Sequence, residues 1–258
     1  MLLLLLVWVA LTFVVPVASL PAPEDVVMRV GADFWAAPEL SFYGLDTGLA
    51  QSLAFTAANV FIALTVGSAL GVAGGLMTAR FALLRQIVDP IMWTAGTIPI
   101  LVLAPFFLIW FGVGRSSAVL LVVFYVFVML YVFAQKAAAN LSPIYEEAAR
   151  TFGASPMGVV RDVLLPGTLP EILGGVRIAL AGAWGLECIT ELLGAQSGMG
   201  KIIQVLAGAT DVQGIFAALL VLGLAAILCD GIAVWVVARV TRWHRAAPGA
   251  SLIGSRPT

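Results

Sequence analysis

Charge is scarce in this chain. Only 10% of its 258 residues are Asp, Glu, Lys or Arg, and the formal net charge is −1. Histidine is almost missing, with His244 near the end as its one example, and cysteine is limited to Cys188 and Cys229. Each shortage excludes a class of function. One His leaves no Ser-His-Asp set and no metal-ligand cluster, so a catalytic residue or bound metal is expected nowhere in the chain. Both cysteines lie in apolar runs and read as small core residues. No basic patch interleaved with aromatics exists, so nucleic acid is not a partner. No phosphate loop of the G-x-x-x-x-G-K-[ST] type occurs either. Gly200-Lys201 is followed by Ile202 and lacks the upstream glycine.

What fills the chain instead is hydrocarbon. Hydrophobic residues make up 62% of it and the mean hydropathy is +1.08, which places it outside the soluble range. A span needs roughly 20 apolar residues, and the expected fold is all-α and polytopic, with about six transmembrane helices. The apolar run 1–20 reads as a retained first span, although the small residues Ala18 and Ser19 that end it also suit a cleaved signal. Residues 21–51 hold most of the outer acidic residues beside Phe34, Trp35, Phe42 and Tyr43, as expected of a periplasmic interfacial segment. A membrane domain over 52–240 follows, then a tail, 241–258. In the second span, Gly67, Ser68, Gly71, Gly74 and Gly75 form a small-residue face suited to close helix packing. Pro99 and Pro105 interrupt the third, and two readings stand for them: a kink beside the translocation path or a kink that shapes packing. The fifth, expected over 172–193, carries Arg177, Glu187 and Glu191, and the sixth carries Asp230. Such groups are costly in hydrocarbon, so they face protein or water. Glu187, Glu191 and Asp230 are path candidates, with hydrogen bonding between helices as the other role.

Basic residues divide unevenly between the connections. Arg80, Arg85, Lys136, Arg150, Arg161, Arg239, Arg242 and Arg245 fall on one side, with Arg256 in the tail, and Arg29, Arg115 and Lys201 fall on the other. The positive-inside rule puts both termini and the loop 142–170 in the cytoplasm.

That loop is the longest patch of mixed charge. Ser142 and Pro143 signal one helix start, and Ser155 and Pro156 signal another. Gly153 stops the first helix, and Pro166 is expected to stop the second. Apolar stripes run along both, Ile144, Ala148 and Phe152 on one and Met157, Val160 and Leu164 on the other. Such a pair either packs on its own membrane domain or docks a soluble partner. Glu147-Ala148-Ala149, three residues, Gly153, nine residues and Val163-Leu164-Leu165-Pro166 resemble the EAA signature of permease subunits of bacterial ATP-binding-cassette importers, with Val where Ile is usual. Further pieces resemble the nitrate, taurine and sulfonate branch: Asp89-Pro90, Ile98-Pro99, Trp110-Phe111-Gly112, Gly175-Val176-Arg177, Glu191 with the following LLGAQSGMGKII, and Asp230. They cover about residues 50–240. Where that branch often has a further proline, this chain has Ala95 to Ile98.

The resemblance implies a bacterial inner-membrane permease that pairs with itself, with two copies of an ATPase and with an extracytoplasmic solute-binding protein. Its cargo would be a nitrate-, sulfonate- or taurine-like anion or a small heterocyclic precursor. ATP and Mg would be bound by the partner, leaving no cofactor in this chain. The resemblance also assigns ATPase coupling to Glu146, Glu147, Ala148, Ala149, Gly153, Ala154, Val163, Leu165 and Pro166. Two other readings of the residues are a proton-coupled secondary carrier, relaying through Glu187, Glu191 and Asp230, and a non-transporting membrane scaffold.

Overall fold

The computed structural model describes residues 2–16, 19–41, 45 and 47–242. The expectations placed on Ala18, Phe42, Tyr43, His244, Arg245 and Arg256 lie outside the described residues. Helices dominate, and no strand occurs among the described residues. In chain order they are α1 (Leu2–Thr12), α2 (Pro23–Asp33), α3 (Pro38–Ser41), α4 (Leu49–Arg80), α5 (Ala82–Thr97), a 3₁₀ turn (Ile100–Leu103), α6 (Ala104–Phe111) and α7 (Arg115–Asn140). There follow α8 (Pro143–Thr151), α9 (Pro156–Val159), a π turn (Val160–Leu164), α10 (Leu165–Gly194), α11 (Met199–Gly208) and α12 (Val212–Val240).

Among the described residues, four helical stretches are long and apolar enough to cross a bilayer: Leu49–Arg80, Arg115–Asn140, Pro156–Gly194 and Val212–Val240. The pair Ala82–Thr97 and Ile100–Phe111 makes a fifth if it crosses as one. The expected first span is not among them. Over 1–20 the helix covers only Leu2–Thr12, about 16 Å at 1.5 Å per residue, half the hydrocarbon thickness.

The third span is broken where a kink was expected. The pre-proline restriction ends α5 at Thr97, and Pro99 holds an extended ψ of 114° before the 3₁₀ turn. Pro105 interrupts nothing, because it falls in the first turn of α6, where its missing N–H has no helical acceptor to serve. Between α6 and α7, Gly112 (φ 80°) and Gly114 (φ 148°) make a tight turn.

The chain forms two compact units. The first comprises Met1–Val66, Ile98–Tyr125 and Leu180–Leu228. Its core joins Ala37, Leu40 and Leu49 to Met199, Ile202 and Leu206 of α11 and to Ala218 and Val221 of α12. Residues 194–214, which by sequence suit an outer loop between the fifth and sixth spans, instead hold helix α11, where Met199, Ile202, Ile203 and Leu206 follow a helical period and are all buried. Polar ties reinforce the same packing. Arg29 reaches Asp33 at 2.6 Å and Asp211 at 3.1 Å, and Gln213 Nε2 donates to the Asp25 carbonyl at 2.9 Å.

The second unit comprises Gly67–Thr97, Val126–Ala179 and Cys229–Thr258. Here the small-residue face of α4 packs on α7. A Cβ on Gly71 would stand 2.6 Å from the Phe127 carbonyl, and one on Gly75 2.5 Å from the Tyr131 carbonyl and 2.8 Å from the Ala134 Cβ. A Cβ on Gly74 would stand 3.2 Å from the Tyr131 ring. With lipid as apolar as leucine, close approach of this kind is what holds membrane helices together. Gly75→Ala is therefore expected to destabilise the purified protein by about 1–3 kcal/mol. Gly31→Ala is the control, since nothing lies within 4 Å of the added methyl. Thermal unfolding in detergent checks the pair, and equal midpoints would refute the close-packing account.

Candidate functional site

The loop 142–170 folds as the sequence indicates up to Pro166. Ser142 holds the N-cap of α8 with φ −60° and ψ 129° and Pro143 follows, but the Ser142 hydroxyl makes no capping bond. Its carbonyl accepts from Tyr145 N at 3.2 Å instead. At the other end Phe152 is the C-cap and Gly153 adopts φ 83°. Gly153 N donates to Arg150 O at 2.9 Å and Ala154 N to Ala149 O at 3.0 Å, the paired bonds of a Schellman closure. Gly153 is required because its φ is strained for any residue with a Cβ. Ser155 then caps α9 by accepting from Gly158 N at 3.0 Å, with Pro156 next.

Pro166 does not stop the second helix. The chain winds into a π turn, in which Leu165 N reaches Val160 O, and continues as α10 through Pro166 and Pro170. The widened turn explains the tolerance. It relieves the clash between a proline ring and the carbonyl four residues back, at a residue with no N–H to donate.

The two apolar stripes have different fates. Val160 and Leu164 are buried, whereas Ile144 (64% exposed), Phe152 (90%) and Met157 (52%) stand open around the Gly153 turn, with Tyr145 beside them. Glu146 is engaged by Arg150 at 2.9 Å. Glu147 and Ala148 are exposed, Ala149, Ala154 and Val163 half-buried, and Leu165 and Pro166 exposed. The turn is a knob closed by its own backbone hydrogen bonds, with an uncovered apolar surface.

The acidic path candidates separate. Glu187 and Glu191 lie one turn apart on α10 and are both fully buried. Glu191 accepts from Thr56 Oγ1 at 2.9 Å and from Gly200 N at 3.0 Å, while Thr56 Oγ1 accepts from Met199 N at 2.9 Å. Its carboxylate thus closes the N-terminus of α11, where free N–H groups and the helix dipole favour an anion. Gly198 (φ 106°) and Gly200 leave the room, since a Cβ on either would run into Glu191 or the α10 backbone. Glu187 Oε1 accepts from Asn59 Nδ2 at 2.9 Å, and Asn59 Oδ1 accepts from Arg115 Nε at 2.7 Å. One amide therefore links a buried carboxylate to a guanidinium. Glu187 Oε2 has no hydrogen-bond partner among the described residues.

Asp230 belongs to the other unit, where Arg177 forks onto it with three contacts of 2.9–3.0 Å. Pro99 and Pro105 are exposed. The sequence reading missed Thr56, Asn59 and Arg115 as partners, because nothing in local spacing relates them to α10.

For Glu191, closing a helix end is a structural duty. Glu191→Gln leaves either Thr56 or the Gly200 N–H facing an amide NH₂, and a loss of about 1–3 kcal/mol in stability is expected. The check is thermal unfolding beside transport. Unchanged stability with transport abolished would move Glu191 from packing to the path.

Residues 67–242 match the family model described as binding-protein-dependent transport system inner membrane component. The chain is 32% identical to the taurine transport system permease protein TauC of Escherichia coli (strain K12), over 93% of this chain and 86% of that one. It is 30% identical to the formylaminopyrimidine transport permease protein ThiX of Halalkalibacterium halodurans, over 81% and 79%. A putative aliphatic sulfonates transport permease protein SsuC of Bacillus subtilis (strain 168) is 26% identical over 92% and 82%. Among solved structures, an inward-facing MetNI methionine transporter superposes with a TM-score of 0.69 at 23% identity, covering 80% of this chain and all of that one. That last likeness concerns the fold. The carrier and scaffold readings give way to this match. The chain belongs to the binding-protein-dependent transport inner membrane components, the multi-pass permease subunits of ATP-binding-cassette importers that work with a separate ATPase and a solute-binding protein and are not themselves enzymes.

Proposed function

We propose that two copies of this chain form the membrane pore of an importer for small organic oxyanions of the taurine or sulfonate type, with one ATPase docked on each α8–α9 turn. The observation that carries the docking is the uncovered stripe of Ile144, Phe152 and Met157 around a turn held rigid by Gly153. Exposed apolar surface rimmed by Glu147 and Arg150 suits a groove in a soluble partner. Coupling falls to Glu146, Glu147, Ala148, Ala149, Gly153, Ala154, Val163, Leu165 and Pro166. Pro166 serves in a new role, passing movement of the turn into α10 through the π turn instead of ending the helix.

Closure of the ATPase pair on ATP and Mg, both held by the partner, moves the turn, and its differential affinity for the two ATPase states shifts the membrane helices. Both termini and the turn lie in the cytoplasm, as the basic residues favour. The substrate class is supported by the two relatives named for taurine and aliphatic sulfonates. Glu187 and Glu191 serve packing in this reading, because three of their four carboxylate oxygens are engaged by Asn59, Thr56 and Gly200.

The test is ATP-dependent taurine uptake in proteoliposomes holding this chain, its co-purified ATPase and its solute-binding protein. Gly153→Pro forbids the φ of the turn and is expected to cut uptake by about tenfold or more while ATP hydrolysis persists. Phe152→Asp is expected to loosen the ATPase from the complex. Uptake that needs no ATPase and follows a proton gradient would refute the proposal.

A further inference from the structure

In the second unit, α4, α5, α7 and the first turn of α8 line an open cavity of about 390 Å³. Its polar lining is Arg85, Asp89, Gln135, Lys136 and Glu146, and Trp93 supplies an aromatic wall. That volume lies within the range of small-molecule sites.

The charges in it are unevenly spent. Asp89 accepts from Tyr131 Oη and, at 2.7 Å, from Gln135 Nε2, so both of its oxygens are engaged. Glu146 is paired with Arg150 at 2.9 Å. Neither Arg85 nor Lys136 makes a side-chain hydrogen bond or ion pair with any described residue. Lys136 Nζ lies only against the Trp93 ring, 5.8 Å from its centroid. Both carboxylates of the cavity are thus engaged, and the two cations without acceptors line the same cavity. A guanidinium and an ammonium together offer eight N–H donors, and the groups that satisfy them best are carboxylate, phosphate and sulfonate oxygens. Trp93 is 47% exposed and presents an apolar face to whatever carries the anionic head.

We propose that this cavity binds an organic oxyanion, with its head held by Arg85 and Lys136 and its apolar body laid along Trp93. Two sources share this chemistry, the headgroup of an anionic phospholipid and a free alkyl sulfonate. Because Glu146 of α8 lines the cavity, a bound anion sits against the element that carries the coupling turn. The site does not depend on the docking proposal and is measured without nucleotide.

The experiment is calorimetric titration of the full chain, purified with its ATPase in an uncharged detergent, using hexanesulfonate in one arm and dihexanoyl phosphatidylglycerol in the other. Saturable binding of at least one probe is expected. Arg85→Gln with Lys136→Gln should weaken it by about tenfold or more, and Arg85→Lys should retain most of it. Both side chains are exposed, so the substitutions leave no buried gap. The arm that binds more tightly names the source. Absence of saturable binding in both arms, or equal affinity in wild type and double variant, overturns the proposal. If the double variant does not assemble, Lys136→Gln alone decides it, by whether the affinity falls about threefold or stays level.

Discussion

Hydrocarbon offers no hydrogen bonds, so every backbone N–H and C=O that crosses it must be satisfied from within the protein. The structure follows from that constraint. It explains the helical stretches of Leu49–Arg80, Arg115–Asn140, Pro156–Gly194 and Val212–Val240. It also explains why each departure from a regular helix comes with a device for its freed groups. At Ile98–Pro99 the helix ends and a 3₁₀ turn resumes the pairing. At Pro166 a π turn widens the ladder by one residue. At Gly198 the next helix begins against Thr56 Oγ1, which accepts from Met199 N, and the buried Glu191 carboxylate, which accepts from Gly200 N.

The acidic residues obey the same accounting. A carboxylate in a membrane domain invites a functional reading, yet three of the four oxygens of Glu187 and Glu191 are occupied by Asn59, Thr56 and the start of α11. Asp230 is held by Arg177 in a fork geometry that an ammonium would not reproduce. These charges stitch helices together within each unit. Two cations with spare capacity, Arg85 and Lys136, lie in the second unit, and an uncovered apolar stripe lies at the Gly153 turn.

Reading the sequence went furthest where the signal was local. The Gly153 turn, the Ser155 cap and the small-residue face of α4 were all visible, because each is set by residues within a few positions or by a helical repeat. Pro166 misled, since the rule that proline ends a helix assumes an α-helical ladder that the chain locally abandons. Helix α11 was passed over because it is short, though its apolar spacing was present.

The sequence alone determined the class of the protein, its helical construction and the position of the Gly153 turn. Those depend on composition, on period and on a motif contained in one loop. Which side chains meet Glu187, Glu191 and Asp230, and which cations are left unpaired, only the tertiary structure decided. Partners such as Thr56 and Glu191 are separated by 135 residues, and no periodicity relates residues that far apart until helices pack and bring their faces into register.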